Sequence, residues 1–144
     1  VKDKVAAQIA RDAATSKNQD YLTLSALMCW DAVVECHTKA GAPRPNGIQF
    51  NNYQHVISLS DTPVTNADEM RKVPQGAFIG FFEGDRLIHA MIATGAGLAA
   101  GNKNACLGIG SPVGWEILDL GNLAVWSGGG ATTRNLQVRY RPLG

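Results

Sequence analysis

Apolar residues at Val5, Ala6, Ile9, Ala10 and Ala13 recur at three- and four-residue steps, which predicts a helix with one shallow, alanine-rich buried face. The polar run "TSKNQD" ends it. A second helix follows, with Thr23 or Ser25 as its cap and Leu24, Leu27, Met28 and Val34 burying most of its surface. Gly41 suits the position just past its end, before two prolines and an Asn46-Gly47 turn. Residues 48–60 carry no clear period. Thr65-x-x-Asp68 predicts the start of a short helix. The pattern then turns to β: "GAFIGFF" and "RLIHAMIAT" flank Glu83-Gly84-Asp85 as a hairpin. After a glycine-rich bend, "ACLGIG", "GWEILDL" and "LAVW" predict three short strands, and "SGGGATT" a loop. In "NLQVRYRPL", Leu136, Val138 and Tyr140 alternate with Gln137, Arg139 and Arg141, as in a half-exposed terminal strand. Helices followed by an antiparallel sheet make an α+β fold, N-terminal helices packed on a C-terminal sheet. There is no internal repeat.

A chain of 144 residues suits one compact domain over 1–144, and 45% hydrophobic against 17% charged residues is a globular balance. It begins with Val and shows no charged-then-apolar leader, so it reads as a processed domain or a C-terminal piece of a larger secreted protein. A net charge of +1 speaks against nucleic acid and anionic membrane surfaces as partners. No apolar run approaches the roughly 20 residues of a membrane span, and "HAMIATGAGLAAG" is broken by glycines.

The spacing of cysteines, histidines and glycines argues for no metal and no cofactor. The three cysteines are separated by 7 and 70 residues, which matches no zinc pattern, and His37, His55 and His89 form no paired-ligand spacing. Gly95-x-Gly97-x-x-x-Gly101 has the outline of a phosphate loop, but no amphipathic helix follows to offer its N-terminus, and Gly108, Gly110 and Gly114 fail for the same reason. These glycines are expected to make tight turns or to admit a substrate backbone.

Candidate chemistry begins at Cys29. With a helix starting near Ser25 or Ala26, it sits in the first turns, where free N–H groups and the helix dipole favour a thiolate. The plain alternative is a buried cysteine among Leu27, Met28 and Trp30. His89 lies on a predicted strand with Leu87, Met91 and Ala93 on its face, and an imidazole there needs a partner if buried. A strand histidine in a sheet packed on a cysteine-bearing helix is what a Cys-His pair requires. Asn102, Asn104 or Asp119 could orient the ring. Asn104 stands first because it precedes the strand expected beside that of His89, and Asp119 second. Cys36 lies two helical turns after Cys29 on the same face and reads as core. Adjacent helical residues point about 100° apart, so Cys36 and His37 make poor partners. Cys106 reads as a buried strand residue. His55 carries no assignment.

These motifs carry a resemblance. Cys29-Trp30 at the head of a buried helix, then "GAFIGFFEGDRLIHAMIATGAG" with Gly84, Asp85, His89 and Ile92 as Gly-Asp-x-x-x-His-x-x-Ile, is similar to papain-like cysteine hydrolases. The closer likeness is to their compact bacterial branch of cell-wall peptidases, amidases and secreted toxin domains, and it covers roughly residues 24–120. It implies a papain-like fold and a triad of Cys29, His89 and Asn104 or Asp119. It also implies a protein or peptidoglycan substrate, a secreted effector delivered to a target cell, and an immunity protein as partner. Met28-Cys29-Trp30 departs from the usual Asp-Cys-Ser/Gly, and Thr23 stands where papain-type enzymes place the oxyanion glutamine, with Gln19 out of register. The Cys29 backbone N–H remains as oxyanion donor.

Three readings follow. The first is a cysteine-dependent hydrolase of amide bonds, with a glutamine deamidase or transglutaminase toxin as its close variant. The second is a non-catalytic binding module with an inert Cys29. The third, a nuclease or ADP-ribosyltransferase, is disfavoured by the near-neutral charge and by the lack of a carboxylate cluster. Glu83, Asp85 and Arg86 read as a solvated hairpin tip.

Overall fold

The computed structural model describes residues 1–44, 57–127 and 130–143. The Asn46-Gly47 turn and His55 lie outside them. Three helices come first: α1 (Lys2–Ser16), α2 (Gln19–Ala26) and α3 (Cys29–Lys39). Then follow β1 (Thr62–Val64), the short α4 (Ala67–Arg71), β2 (Phe78–Glu83), β3 (Arg86–Gly95), β4 (Leu98–Asn102) and β5 (Trp115–Asp119). The small strands β6 (Trp126–Ser127) and β7 (Gly130–Ala131) and the terminal β8 (Gln137–Arg141) complete the fold. Six strands form one antiparallel sheet in the order β1-β8-β2-β3-β4-β5, while β6 and β7 pair separately. The fold is α+β, with N-terminal helices packed against a C-terminal antiparallel sheet.

Both faces of the sheet are covered. On one, Ala6, Ala10 and Ala13 of α1 and Val33 of α3 meet Phe78, Phe82, Ile92 and Trp115. Alanines suit a helix lying close to large aromatic side chains. On the other, Met70 of α4, Leu107, Leu120 and Leu136 cover Ile79, Phe81 and Met91. Two-sided burial is the reason β2 reads as an unbroken apolar run rather than an alternating one.

The hairpin forms as its sequence predicts, with Glu83 paired to Arg86 and Gly84 at φ 64° between them. Other elements differ. One predicted helix is two, because Leu27 and Met28 are extended. The cap of α2 is Asn18, whose Oδ1 accepts from the Tyr21 N–H, while Thr23 and Ser25 lie inside it. Asn66, not Thr65, caps α4.

Strand β4 lies in the segment expected to be a glycine-rich bend. Its alanines and glycine have weak strand propensity and pair only because β3 and β5 flank them. "ACLGIG" forms a 3-10 turn over Asn104–Leu107 instead of a strand. "LAVW" is a 3-10 turn over Leu123–Val125 running into β6.

Candidate active site

Cys29 is the first residue of α3, with Met28 as an N-cap that offers no side-chain bond. The break before it has a tertiary cause. The Nδ2 of the buried Asn102, at the end of β4, donates to the carbonyl oxygens of Leu24, Ser25 and Leu27 at 2.5–3.0 Å. Those of Ser25 and Leu27 are carbonyls left free where a helix ends, while that of Leu24 also accepts from the Leu27 N–H. Asn102 therefore stops α2 and lets a new helix begin at Cys29. The thiol is 5% exposed, and burial pushes it up to about 12, opposed by the backbone N–H groups of Ala90, Trp30 and Cys29 itself.

His89 sits beside a β-bulge. Phe81 pairs with His89 and Phe82 with Leu87, so Ile88 is an extra residue in β3. This corrects the expected shared face. Leu87 joins Ala90 and Ile92 on the helix side, while Met91 and Ala93 face the other core. The His89 ring, 1% exposed, lies 5.8 Å from the Phe81 ring, and its Nε2 meets Asn104 Oδ1 at 2.8 Å. Burial holds it down to about 4, against the Asn104 bond that raises it, so the ring is neutral at physiological pH.

Which nitrogen carries the proton follows from Asn104. Its Nδ2 donates to the Gly101 carbonyl at 2.9 Å and to Glu116 Oε1 at 3.2 Å, so its Oδ1 is the atom that accepts from His89. Nε2 is therefore protonated, and Nδ1 keeps its lone pair. Glu116 is itself held, its Oε1 accepting from the Ser111 N–H at 2.6 Å. The space for this chain comes from two glycines. A Cβ on Gly101 would lie 2.6 Å from Asn104 Oδ1, and one on Gly110 would lie 2.5 Å from Glu116 Oε1. These glycines make room for the site's own side chains.

Cys29 and His89 line one cleft of about 240 Å³ together with Met28, Trp30, Ile88 and Cys106. Its rim also takes in Lys103 and Arg86. Arg86 thus belongs to the cleft and not only to the hairpin tip, while Glu83 pairs with Arg134 at 2.9 Å. Cys106 is exposed on the 3-10 turn, a correction to its expected burial in a strand. Thr23 and Gln19 are not among the described residues lining this cleft.

The remaining candidates fall elsewhere. Asp119 pairs with Leu98, which lies opposite Gly95, six residues along β3 from His89. At strand rise that is about 20 Å away. Its Oδ1 accepts from the Gly121 N–H at 3.1 Å and closes a turn, so it cannot orient His89. Asn104 can, although it follows β4 rather than preceding the neighbouring strand. Cys36 is fully buried in the helix-side core. His37 donates from Nε2 to the Gly76 carbonyl at 2.8 Å.

Glu116, Lys103 and the bulge at Ile88 were missed from the sequence, and Gly101, expected to make a turn or admit a substrate backbone, instead makes room for Asn104. The one available signal was Glu116, a carboxylate inside the predicted strand "GWEILDL". Among the described residues, no group of three or more His, Cys, Asp or Glu side chains could hold a metal ion, and no helix is long and apolar enough to cross a membrane. No family model, curated protein or solved structure matches the chain.

Proposed function

We propose that this domain is a papain-like, cysteine-dependent hydrolase of amide bonds. What supports the reading is the 2.8 Å His89–Asn104 bond in the cleft that Cys29 also lines from the start of a helix. The resting pair is neutral: burial raises the thiol and lowers the imidazole. The thiol proton therefore moves to His89 Nδ1 as Sγ attacks the amide carbonyl, rather than beforehand. Asn104 keeps Nε2 protonated and holds the ring plane. The Cys29 N–H, free of any side-chain cap at the helix start, faces the developing oxyanion. His89 then protonates the leaving amine, and a water deprotonated by His89 resolves the thioester.

A peptide bond or a peptidoglycan crosslink of a target cell fits this chemistry, as does delivery as a secreted effector countered by an immunity protein. A cleft of about 240 Å³ is small beside most ligand sites. That size favours a second reading, in which one glutamine side chain enters and ammonia leaves, as in a deamidase or transglutaminase.

The test is amide cleavage and glutamine deamidation by the wild-type chain and by Cys29→Ala, with mass spectrometry for an acyl adduct on Cys29. The expected outcome is an adduct in the wild type and at least about a thousandfold loss in the variant. Full turnover by Cys29→Ala would end the reading.

A further inference from the structure

The cleft is charged on one side only. Lys103 and Arg86 are on its rim, and no Asp or Glu lines it among the described residues. Neither cation forms an ion pair there with another described residue. Lys103 is also held in place. On one side Asn102 is fully buried and bonded to three carbonyls, and on the other Asn104 is fully buried and bonded to His89, Gly101 and Glu116. Between them Lys103 adopts φ 59°, a left-handed conformation that disfavours a residue with a Cβ. A lysine stands where glycine or asparagine would be easier, and its Nζ rests 3.9 Å from Met28 Sδ, the residue before Cys29. The Lys103 backbone is thus fixed between two buried asparagines, and its side chain carries an unpaired cation to the mouth of the cleft.

We propose that the cleft selects amide substrates bearing a carboxylate beside the scissile bond, with Lys103 and Arg86 receiving that carboxylate. Burial keeps His89 neutral, so at physiological pH these two side chains supply the positive charge at the cleft. The substrate half of the proposal rests on the hydrolase reading, whereas the anion selectivity of the cleft does not.

Two haloacetyl reagents separate the two claims. Iodoacetate and iodoacetamide each place a carbon on a thiolate sulfur and release iodide; they differ in one negative charge. The folded full chain is alkylated with each near neutral pH, and rates are read at Cys29 and Cys106 by peptide mass spectrometry, with the buried Cys36 as internal control. The iodoacetate-to-iodoacetamide rate ratio at Cys29 is expected to exceed that of free cysteine by about two- to fivefold and to shrink with added salt. The double variant Lys103→Met, Arg86→Met should return the ratio to the free-thiol value, and Lys103→Arg should keep it. A wild-type ratio equal to free cysteine at Cys29 and at Cys106, the exposed thiol of the same cleft, or a ratio unmoved in the double variant, would overturn the anion site. Paired peptide amides with Glu or Gln next to the scissile bond then test the rest. Anion-selective labelling with no cleavage of either peptide sinks the hydrolase reading alone. Equal cleavage of both sinks the carboxylate preference alone.

Discussion

Helix α3 carries two cysteines at equivalent points of its face, and each end of the helix lies near a buried histidine. The two regions are built differently. At the N-terminal end, Cys29 borders a cleft, and His89, which lines the same cleft, is bonded to a side chain that is itself fixed by Gly101 and Glu116. Two turns further on, Cys36 has no solvent access, and His37 is tied to the backbone carbonyl of Gly76. Gly76 packs against the backbone of Asp3, where a Cβ would lie 2.5 Å from the Asp3 carbonyl oxygen. The second histidine therefore pins a chain crossing. The same residue types border a cleft or fill the core according to where the helix ends and whether a cleft reaches them.

The largest expected contrast is in activity. Cys29→Ala should abolish amide turnover, by at least about a thousandfold, while Cys36→Ala leaves kcat/KM within about twofold. Equal losses in both variants would erase the distinction between the two regions.

The pH dependence of stability ranks next. Burial holds His89 at about 4 and His37 below its ordinary 6.5, so the unfolded chain takes up protons on both rings before the folded one does. Stability is then greatest above about pH 6.5 and falls as the pH drops towards 4. The His89 share is at most about 3 kcal/mol, from about 2.5 pH units at 1.36 kcal/mol each. Chemical unfolding of the wild type and of His89→Gln at several pH values should show a flatter curve for the variant. The acid limb of kcat/KM should lie near pH 4 rather than 6.5, because the base must be unprotonated.

Asn102→Ala and His37→Ala should each cost about 2–3 kcal/mol by denaturant unfolding, since the first strips the donor from the Ser25 and Leu27 carbonyls and the second from the Gly76 carbonyl. Only Asn102→Ala should also speed Cys29 alkylation, because loosening the start of α3 opens the burial that shields the thiol and raises it. The smallest effect is expected for Cys36→Ala, about 1–2 kcal/mol of stability through a small cavity.

The hairpin, the terminal strand and the α1 face were legible because their signals are local: a Gly84 turn between two apolar runs, a two-residue alternation, and three- and four-residue alanine steps. Strand β4 was not, because its alanines and glycine earn their pairing from the strands on either side. Asn104 does bond His89, but the strand order that made it the first choice is not the one the fold has. Asp119, the second choice to orient His89, is carried by the register to the far end of the sheet. Lys103 and Arg86 carried no motif at all; they matter through the cleft they border.

By itself the sequence determined the layer order, the α+β class and the residue types able to do thiol chemistry, since hydrophobic periodicity and residue identity are properties of neighbouring positions. It did not determine where Cys29 falls on its helix. "LSALMCWD" contains neither glycine nor proline, and nothing within it requires a break. The break comes from Asn102, some seventy-five residues away, whose amide takes the carbonyls that would otherwise continue α2. Helix propensity is a local preference of tenths of a kcal/mol per residue, and the hydrogen bonds of one buried amide outweigh it. Only the tertiary structure could therefore make Cys29 a helix start and set it in one cleft with His89.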